Sequence, residues 1–559
     1  MSATVESRLQ TTTTYLNFGP WSAELQGDEL LHIRHRGLPV LRGLRAVVRN
    51  HNWLTLTPGI MSSRTEVSAD SLRVVLEVEW NGYAARYTGQ VTILIQAENL
   101  TLSFNGTAVE EFTANRIGLV VLHRPDDAGR PITVTSPAGD STAAVFPTRI
   151  SAHQPFKDIA ALDWERDHVA YRLDFDGDIF ETEDQRNWTD ASFKTYSTPL
   201  SKPFPVTHRP GDTVTQSIRL SARHIISVID ETRGLVPELG TSADASTREE
   251  PGSTTLIPAE LGPLLAEVTV EADPAMGLIS AKKAVHLAER LNLPLDARIV
   301  ADTPEEAVAV LRSLPLDRVT RLGIYSKTNH ITENNLWDAF TAEAKELGFQ
   351  GELLAGARSH FTELNRNRHS AHQHADGVTY SITPQMHATE PGAIIDTVAM
   401  QTLTAEEALR IGNGKPLHIG PVTLAARFNA VATQRPMEEE LPSQDPLQST
   451  PFAAAWLLGS ITALTSPGTG SISYATVSEL GSPAGQLLLH LTAHRGSEVL
   501  ATNAEPELVA VYPVRTPGGV LTFVGNLTAH AADVRVVGPS GAQADLRLAP
   551  WETTNMLLS

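Results

Sequence analysis

The chain has 559 residues, 41% of them hydrophobic and 19% charged, with a formal net charge of −20 and no cysteine. That length exceeds one hydrophobic core and predicts two to four domains. The acidity argues against nucleic acid or an anionic membrane as partner, and the lack of cysteine removes disulfides, thiolate metal sites and cysteine nucleophiles.

The first 235 or so residues read as β-structure. DSLRVVLEVEW, QVTILIQAENLTLSFNG and DTVTQSIRLSA alternate apolar and polar residues between Gly, Asn, Asp and Pro turns. Such a run of strands without long helical patterns predicts an N-terminal β-sandwich over residues 1–240. Thr241 to Ser253, polar and small, reads as a linker.

From Thr254 the period changes. LAEVTVEAD, LDARIVAD, RVTRLGIYS, GELLAGAR, DGVTYSIT, KPLHIGPVTL and GSISYAT read as strands, several separated by helical patterns such as TPEEAVAVLRSL and NNLWDAFTAEAKELG. With TTLIPAEL as the first strand, the alternation gives eight units and predicts a TIM-like (β/α)8 barrel over residues 254–500. After Pro506 the strand pattern returns, predicting a small C-terminal β-domain over residues 505–559.

One stretch between the early strands stands apart. GDIFETEDQRNWTDASFK, Gly177 to Lys194, holds Asp178, Glu181, Glu183, Asp184, Arg186, Asp190 and Lys194 among Phe180, Trp188 and Phe193. The aromatics would pack it against a domain, and the charges would face a pocket or lock domains by ion pairs. Glu183 and Arg186 are its candidate substrate-binding residues. DFDGDIFETED is no EF-hand, since its glycine falls at the fourth position and no glutamate at the twelfth.

Barrel enzymes carry their chemistry at the C-terminal ends of the strands, which ranks the residues there. ARSHFTELNRNR offers Glu363, Asn365 and Arg366, TPQMHATE offers Gln385 and His387, GPVTLAARFN offers Thr423 and Arg427, and SYATVSELG offers Glu479. Glu363, His387 and Glu479 are the catalytic candidates, as groups able to move protons. Asn365, Arg366, Gln385 and Thr423 are candidates to bind a polyhydroxylated substrate. For each taken alone, a loop charge or a helix cap is the bland alternative. RNRHSAHQHAD, with His369, His372 and His374, lacks a diagnostic metal spacing, and neither a metal nor a cofactor is expected. GxSxG, GxGxxG and P-loop motifs are absent. Strand four ends in YSKTNH and strand seven in GPVTL, without the glutamates many barrel glycosidases place there. A glycosidase would have to use Glu363 with Glu479, or a sandwich carboxylate.

GDIFETEDQRNWTDASFKTYSTPL, FTELNR, PQMHA and GPVTL, in this order, with SISYAT and the upstream HQPFKDI, resemble the D-apionate lactonase family of bacterial sugar catabolism. The resemblance runs from about Arg116 to Glu479. It implies a β-domain, a barrel and a C-terminal β-domain, and hydrolysis of D-apionolactone to D-apionate. AEVTVEAD and ATVSELGSP depart from the more basic and the Tyr-rich versions expected of the family. The expectation is a hydrolase acting on a small sugar lactone, with Glu363 as base, His387 as proton carrier and Arg366 or Asn365 at the oxyanion. The rivals are a glycoside hydrolase acting on furanose-containing glycosides and a carbohydrate-binding protein without catalysis. No apolar run is long enough to span a membrane and no secretory signal is evident, so a cytoplasmic location is expected. The sequence gives no oligomeric state.

Overall fold

The computed structural model describes residues 12–191, 193–242, 265–274, 279–368, 374–425, 427, 445–476 and 481–559. The chain divides into two compact units, Met1–Ile225 with His530–Arg535 and Asp545–Arg547, and Ile226–Ala529 with Val536–Ala544 and Leu548–Ser559.

The first unit is a β-sandwich. One antiparallel sheet places Leu38–Asn50 beside Phe112–Leu122, then Phe193–Tyr196, Phe180–Asp184 and Phe156–Ile159. The second runs from Thr57–Val67 through Leu72–Gly82, Ala85–Ile95 and Asn99–Ala108 to the long strand Thr213–Leu235 and on to Val169–Asp176. Alternation does what it predicts here. Val74, Leu76, Val78 and Trp80 of LRVVLEVEWNG are buried, while Arg73, Glu77 and Asn81 are exposed. These side chains meet Leu44, Val48, Leu119 and Val121 of the facing sheet in one core.

The second unit holds a closed barrel of eight parallel strands. They are Glu238–Ser242, Val268–Ala272, Leu295–Ala301, Val319–Ser326, Glu352–Gly356, Gly377–Ile382, Leu417–Val422 and Thr469–Thr476. Seven are the strands read from the sequence. The first is not. Thr254–Leu261 lies outside the described residues, and Glu238–Ser242, including the start of the expected linker, closes the barrel between the second and eighth strands. Its five residues, ELGTS, are too short and too polar to give a strand signal, because the surface they bury is shared with two neighbours rather than their own.

Helices predicted from capping signals form where expected. Thr303 caps Pro304–Arg312 by accepting from the Glu306 N–H at 3.2 Å, and Gly348 follows the Asn334–Glu346 helix with φ +74°. Pro451–Leu464 is apolar all round because it packs on Pro391–Gly412, Pro483–Thr492 and the C-terminal strands Val509–Thr516 and Gly519–Asn526. Those strands share the barrel's hydrophobic core through Tyr512, Val514 and Phe523.

Candidate active site

The interior of the barrel is unusually polar. Period-two alternation sends Thr269 and Glu271 of the second strand inward, with Asp296 and Arg298 of the third, Thr379 and Ser381 of the sixth, and Ser473 of the eighth, all poorly accessible. At the N-terminal end Arg321 bonds Glu352 at 2.8 Å and Glu238 at 2.5 Å, and also pairs with Glu267. Burial, reinforced by Asp296, pushes the Glu267 carboxyl up to about 7 against the pull of Arg321 and Arg298. Arg298, 1% exposed, bonds Asp296 at 2.9 and 3.3 Å and donates to the Gly420 carbonyl. These charges answer one another and form a rigid floor.

At the C-terminal end a second group of charges gathers. Glu271 sits near the end of the second strand, Arg358 two residues beyond the fifth, and Arg427 five beyond the seventh. Arg358 Nε and Nη2 donate to the two Glu271 oxygens at 3.2 and 2.8 Å, and Arg427 Nη1 lies 3.0 Å from Oε1. Arg427 Nη2 also donates to the Arg358 carbonyl at 2.5 Å and to Ser381 Oγ at 2.9 Å. Burial alone would raise the Glu271 carboxyl; the guanidinia of Arg358 and Arg427 overcome it and hold the carboxyl well below the usual carboxylate range. Two cations on one anion leave a net positive charge at the rim, aimed where a barrel binds substrate.

Glu363 joins this cluster through a short relay. It lies in the first turn of the helix Phe361–Arg366, half-buried, and its Oε2 accepts from Ser359 Oγ at 2.9 Å. The Ser359 carbonyl accepts from Ser381 Oγ at 2.8 Å, and Ser381 is the hydroxyl that Arg427 touches. His360 caps the same helix. Burial lowers its imidazole's pKa, with Glu363 opposing and Arg427 adding to the effect, so the ring stays neutral near pH 7. Its Nε2 is shut off from solvent with no hydrogen-bond partner among the described residues.

The other residues picked from the sequence are dispersed. Gln385 Nε2 donates to Asp445 Oδ2 at 2.5 Å, and Thr423 Oγ1 to the Ala425 carbonyl at 2.8 Å. Asn365 accepts from Arg368, and Arg366 and His387 are exposed. Glu479, His369 and His372 lie outside the described residues. Glu183 and Arg186 belong to the first unit. Glu183 Oε2 pairs with Lys194 at 2.5 Å, and its Oε1 accepts from Trp188 Nε1 at 2.9 Å. Arg186 spends its guanidinium on Asp184 at 2.7 and 2.8 Å and on the carbonyls of Pro147, Thr148 and Arg149. Phe180 and Phe193 enter the sandwich core, whereas Trp188 is 73% exposed.

Sequence reasoning passed over Glu271 and Arg358. Glu271 is a single carboxylate near the end of an apolar strand, and Arg358 closes the segment GELLAGAR. The rule that favours C-terminal strand ends applies to both, but AEVTVEAD shows in sequence only as an apolar strand and as a departure from the more basic version expected of the family.

The family comparisons agree with this layout. A family model for the N-terminal domain of D-apionate lactonase matches residues 1–225, and one for its TIM barrel domain matches residues 320–500. The chain belongs to the D-apionate lactonase family. It is accordingly an enzyme, a hydrolase of the lactonase class. The family's D-apionate lactonase from Brucella anthropi is 27% identical over 539 residues, spanning 88% of this chain and 86% of that one. Among solved structures, a putative aldose 1-epimerase from Escherichia coli aligns with 38% of this chain and 100% of its own at 13% identity and a TM-score of 0.28. A GH30 endoxylanase from Clostridium papyrosolvens aligns with 59% and 98% at 9% identity and a TM-score of 0.38. Scores this low carry no functional information. Among the described residues no helix is long and apolar enough to cross a membrane, and no group of three or more His, Asp or Glu side chains is arranged to hold a metal ion.

Proposed function

We propose that the chain hydrolyses a sugar-acid lactone at the C-terminal rim of the barrel, with D-apionolactone, opened to D-apionate, as the first substrate to test. The observation that carries this reading is the Glu271–Arg358–Arg427 cluster with Glu363 one serine away. Lactone hydrolysis needs a base for water, a stabiliser for the tetrahedral oxyanion and a proton for the ring oxygen.

In this reading Glu363 takes a proton from water as the oxygen attacks the carbonyl carbon. Negative charge moves to the carbonyl oxygen, where the guanidinia of Arg358 and Arg427 stabilise it. Collapse of the intermediate breaks the bond to the ring oxygen, which takes the proton back from Glu363. One carboxyl thus serves both halves of the reaction, and the product is the open hydroxy acid. Exposed His387 is the alternative proton carrier, and an unchanged rate in His387→Ala would assign the transfer to Glu363. Gln385 and Thr423 remain candidates for the substrate hydroxyls.

The test is proton release over a panel of aldonolactones that includes D-apionolactone, run beside aryl glycosides. Turnover of a lactone and of no glycoside is expected. Glycoside cleavage without lactone hydrolysis, or tight sugar binding without turnover, would replace this reading.

A further inference from the structure

The outer face of the first sheet in the N-terminal unit carries charges that its own fold does not require. Arg45, Val47 and Arg49 alternate onto one face of Leu38–Asn50, since Leu44, Ala46 and Val48 enter the sandwich core. Directly across on Phe112–Leu122, Arg49 is paired with Arg116, Val47 with Gly118 and Arg45 with Val120. Val120 in turn faces Tyr196 and Leu122 faces Lys194, and these two face Glu181 and Glu183 of the next strand. Val47, Val120, Leu122 and Tyr196 form a small apolar cluster of their own on this face.

Most of these groups are answered. Arg45 reaches Glu29 at 3.4 Å, Lys194 pairs with Glu183 at 2.5 Å, and Tyr196 donates to Glu181 at 2.6 Å. Arg116 gives its terminal nitrogens to the Asn115 and Pro199 carbonyls at 2.5 and 2.8 Å and lies under the Phe204 and Trp53 rings, 4.8 and 5.5 Å from their centres. Arg49 is different. It makes no hydrogen bond and no ion pair among the described residues, with Glu183 acting on it only at longer range, and its Nε is closed off from solvent, as are those of Arg45 and Arg116. Like charges directly opposite on adjacent strands cost stability, and a buried donor without an acceptor costs more. Arg49, in register with Arg116, is thus the arginine of this face to which the described residues supply no hydrogen-bond acceptor.

We propose that this face is a binding site for a polyhydroxy monocarboxylate, an aldonic acid, whose carboxylate seats between Arg49 and Arg116. With Arg45 already on Glu29 and Lys194 on Glu183, Arg49 and Arg116 are the paired guanidinia to which one carboxylate can be fitted. A phosphate dianion would leave excess negative charge beside two carboxylates. Glu181, Glu183 and the Tyr196 hydroxyl supply the acceptors that sugar hydroxyls need, and the exposed Trp188 ring offers an apolar wall for carbon-bound hydrogens. Burial depresses the Arg49 and Arg116 pKa values, a desolvation that a bound carboxylate offsets. The segment that drew notice in the sequence, Gly177 to Lys194, supplies Glu181, Glu183, Trp188 and Lys194 to this face.

Calorimetric titration of the full chain with D-gluconate, D-glucitol and inorganic phosphate tests the site without any turnover, so its outcome is independent of lactone hydrolysis. D-Gluconate is expected to bind, with D-glucitol and phosphate at least tenfold weaker. Arg49→Met should weaken D-gluconate at least tenfold and abolish its advantage over D-glucitol, while Arg49→Lys recovers part of both. Arg45→Met, which removes the neighbouring arginine already paired to Glu29, should leave both unchanged. If Arg49→Met does not fold, protection of residues 193–196 from hydrogen exchange on adding D-gluconate to the wild-type chain serves instead. Absence of D-gluconate binding or of that protection, equal affinity for phosphate, or an Arg49→Met chain that binds as the wild type would overturn the proposal.

Discussion

Arg358 meets Glu271 with two hydrogen bonds, at 3.2 and 2.8 Å, although Glu271 is on the second barrel strand and Arg358 follows the fifth, with two strands between them. The pair fixes the guanidinium plane, and Arg427, 3.0 Å from the same carboxylate, is fixed with it. Removing the carboxylate leaves two buried cations facing each other. Glu271→Gln should therefore cost roughly 3 kcal/mol of stability, read as a lower midpoint of thermal unfolding. Lactone hydrolysis should fall by about 100-fold or more as the oxyanion donors lose their positions. Unchanged rates in a folded Glu271→Gln chain would remove the cluster from the mechanism.

The same carboxylate has a pH signature. Its pKa in the folded chain lies below that of the unfolded chain, so its contribution to stability is complete above about pH 4.3, the ordinary glutamate value, and is lost as pH falls from there. Thermal midpoints of wild type and Glu271→Gln should converge below pH 4 and separate above it.

Glu267 has the opposite sign. Its folded pKa, about 7, is raised above the unfolded value, so the cost of ionising it in place grows as pH rises from about 4.3 to 7. The stability of Glu267→Gln relative to wild type should improve across that interval and level off above it. A flat difference from pH 4 to 8 would show that the Arg321 pair keeps Glu267 ionised throughout.

Glu363→Gln should lower lactone turnover by about 100- to 10,000-fold with the thermal midpoint little changed, since the amide still accepts from Ser359. Ser359→Ala, which removes only the donor to Glu363, should have a smaller effect on the same assay.

Gly177 opens the charged stretch Gly177 to Lys194 with φ +88°, and a Cβ there would lie 2.2 Å from the Thr215 carbonyl oxygen. Gly177→Ala should destabilise the first unit by about 1–3 kcal/mol, measured by chemical denaturation.

The architecture was legible because it rests on local periodicity. Alternating strands such as LRVVLEVEWNG, apolar strands such as LDARIVA and capped helices such as PEEAVAVLR each carry their burial pattern in their own residues. The strand ELGTS was not legible, since a single large apolar residue, Leu239, among small and polar ones does not announce a barrel wall. The candidate site divides the same way. Glu363 and Arg427 were reachable from their position after a strand, whereas the bond from Glu271 to Arg358 spans 87 residues and depends on barrel closure. Gly177 to Lys194 was visible as a crowd of charges and rings. Which ring enters the core, which carboxylate meets Lys194, and that Arg49 faces Arg116 were decided by strand register alone. Sequence fixes which face of a strand a side chain takes; only pairing across the sheet selects the partner it meets there.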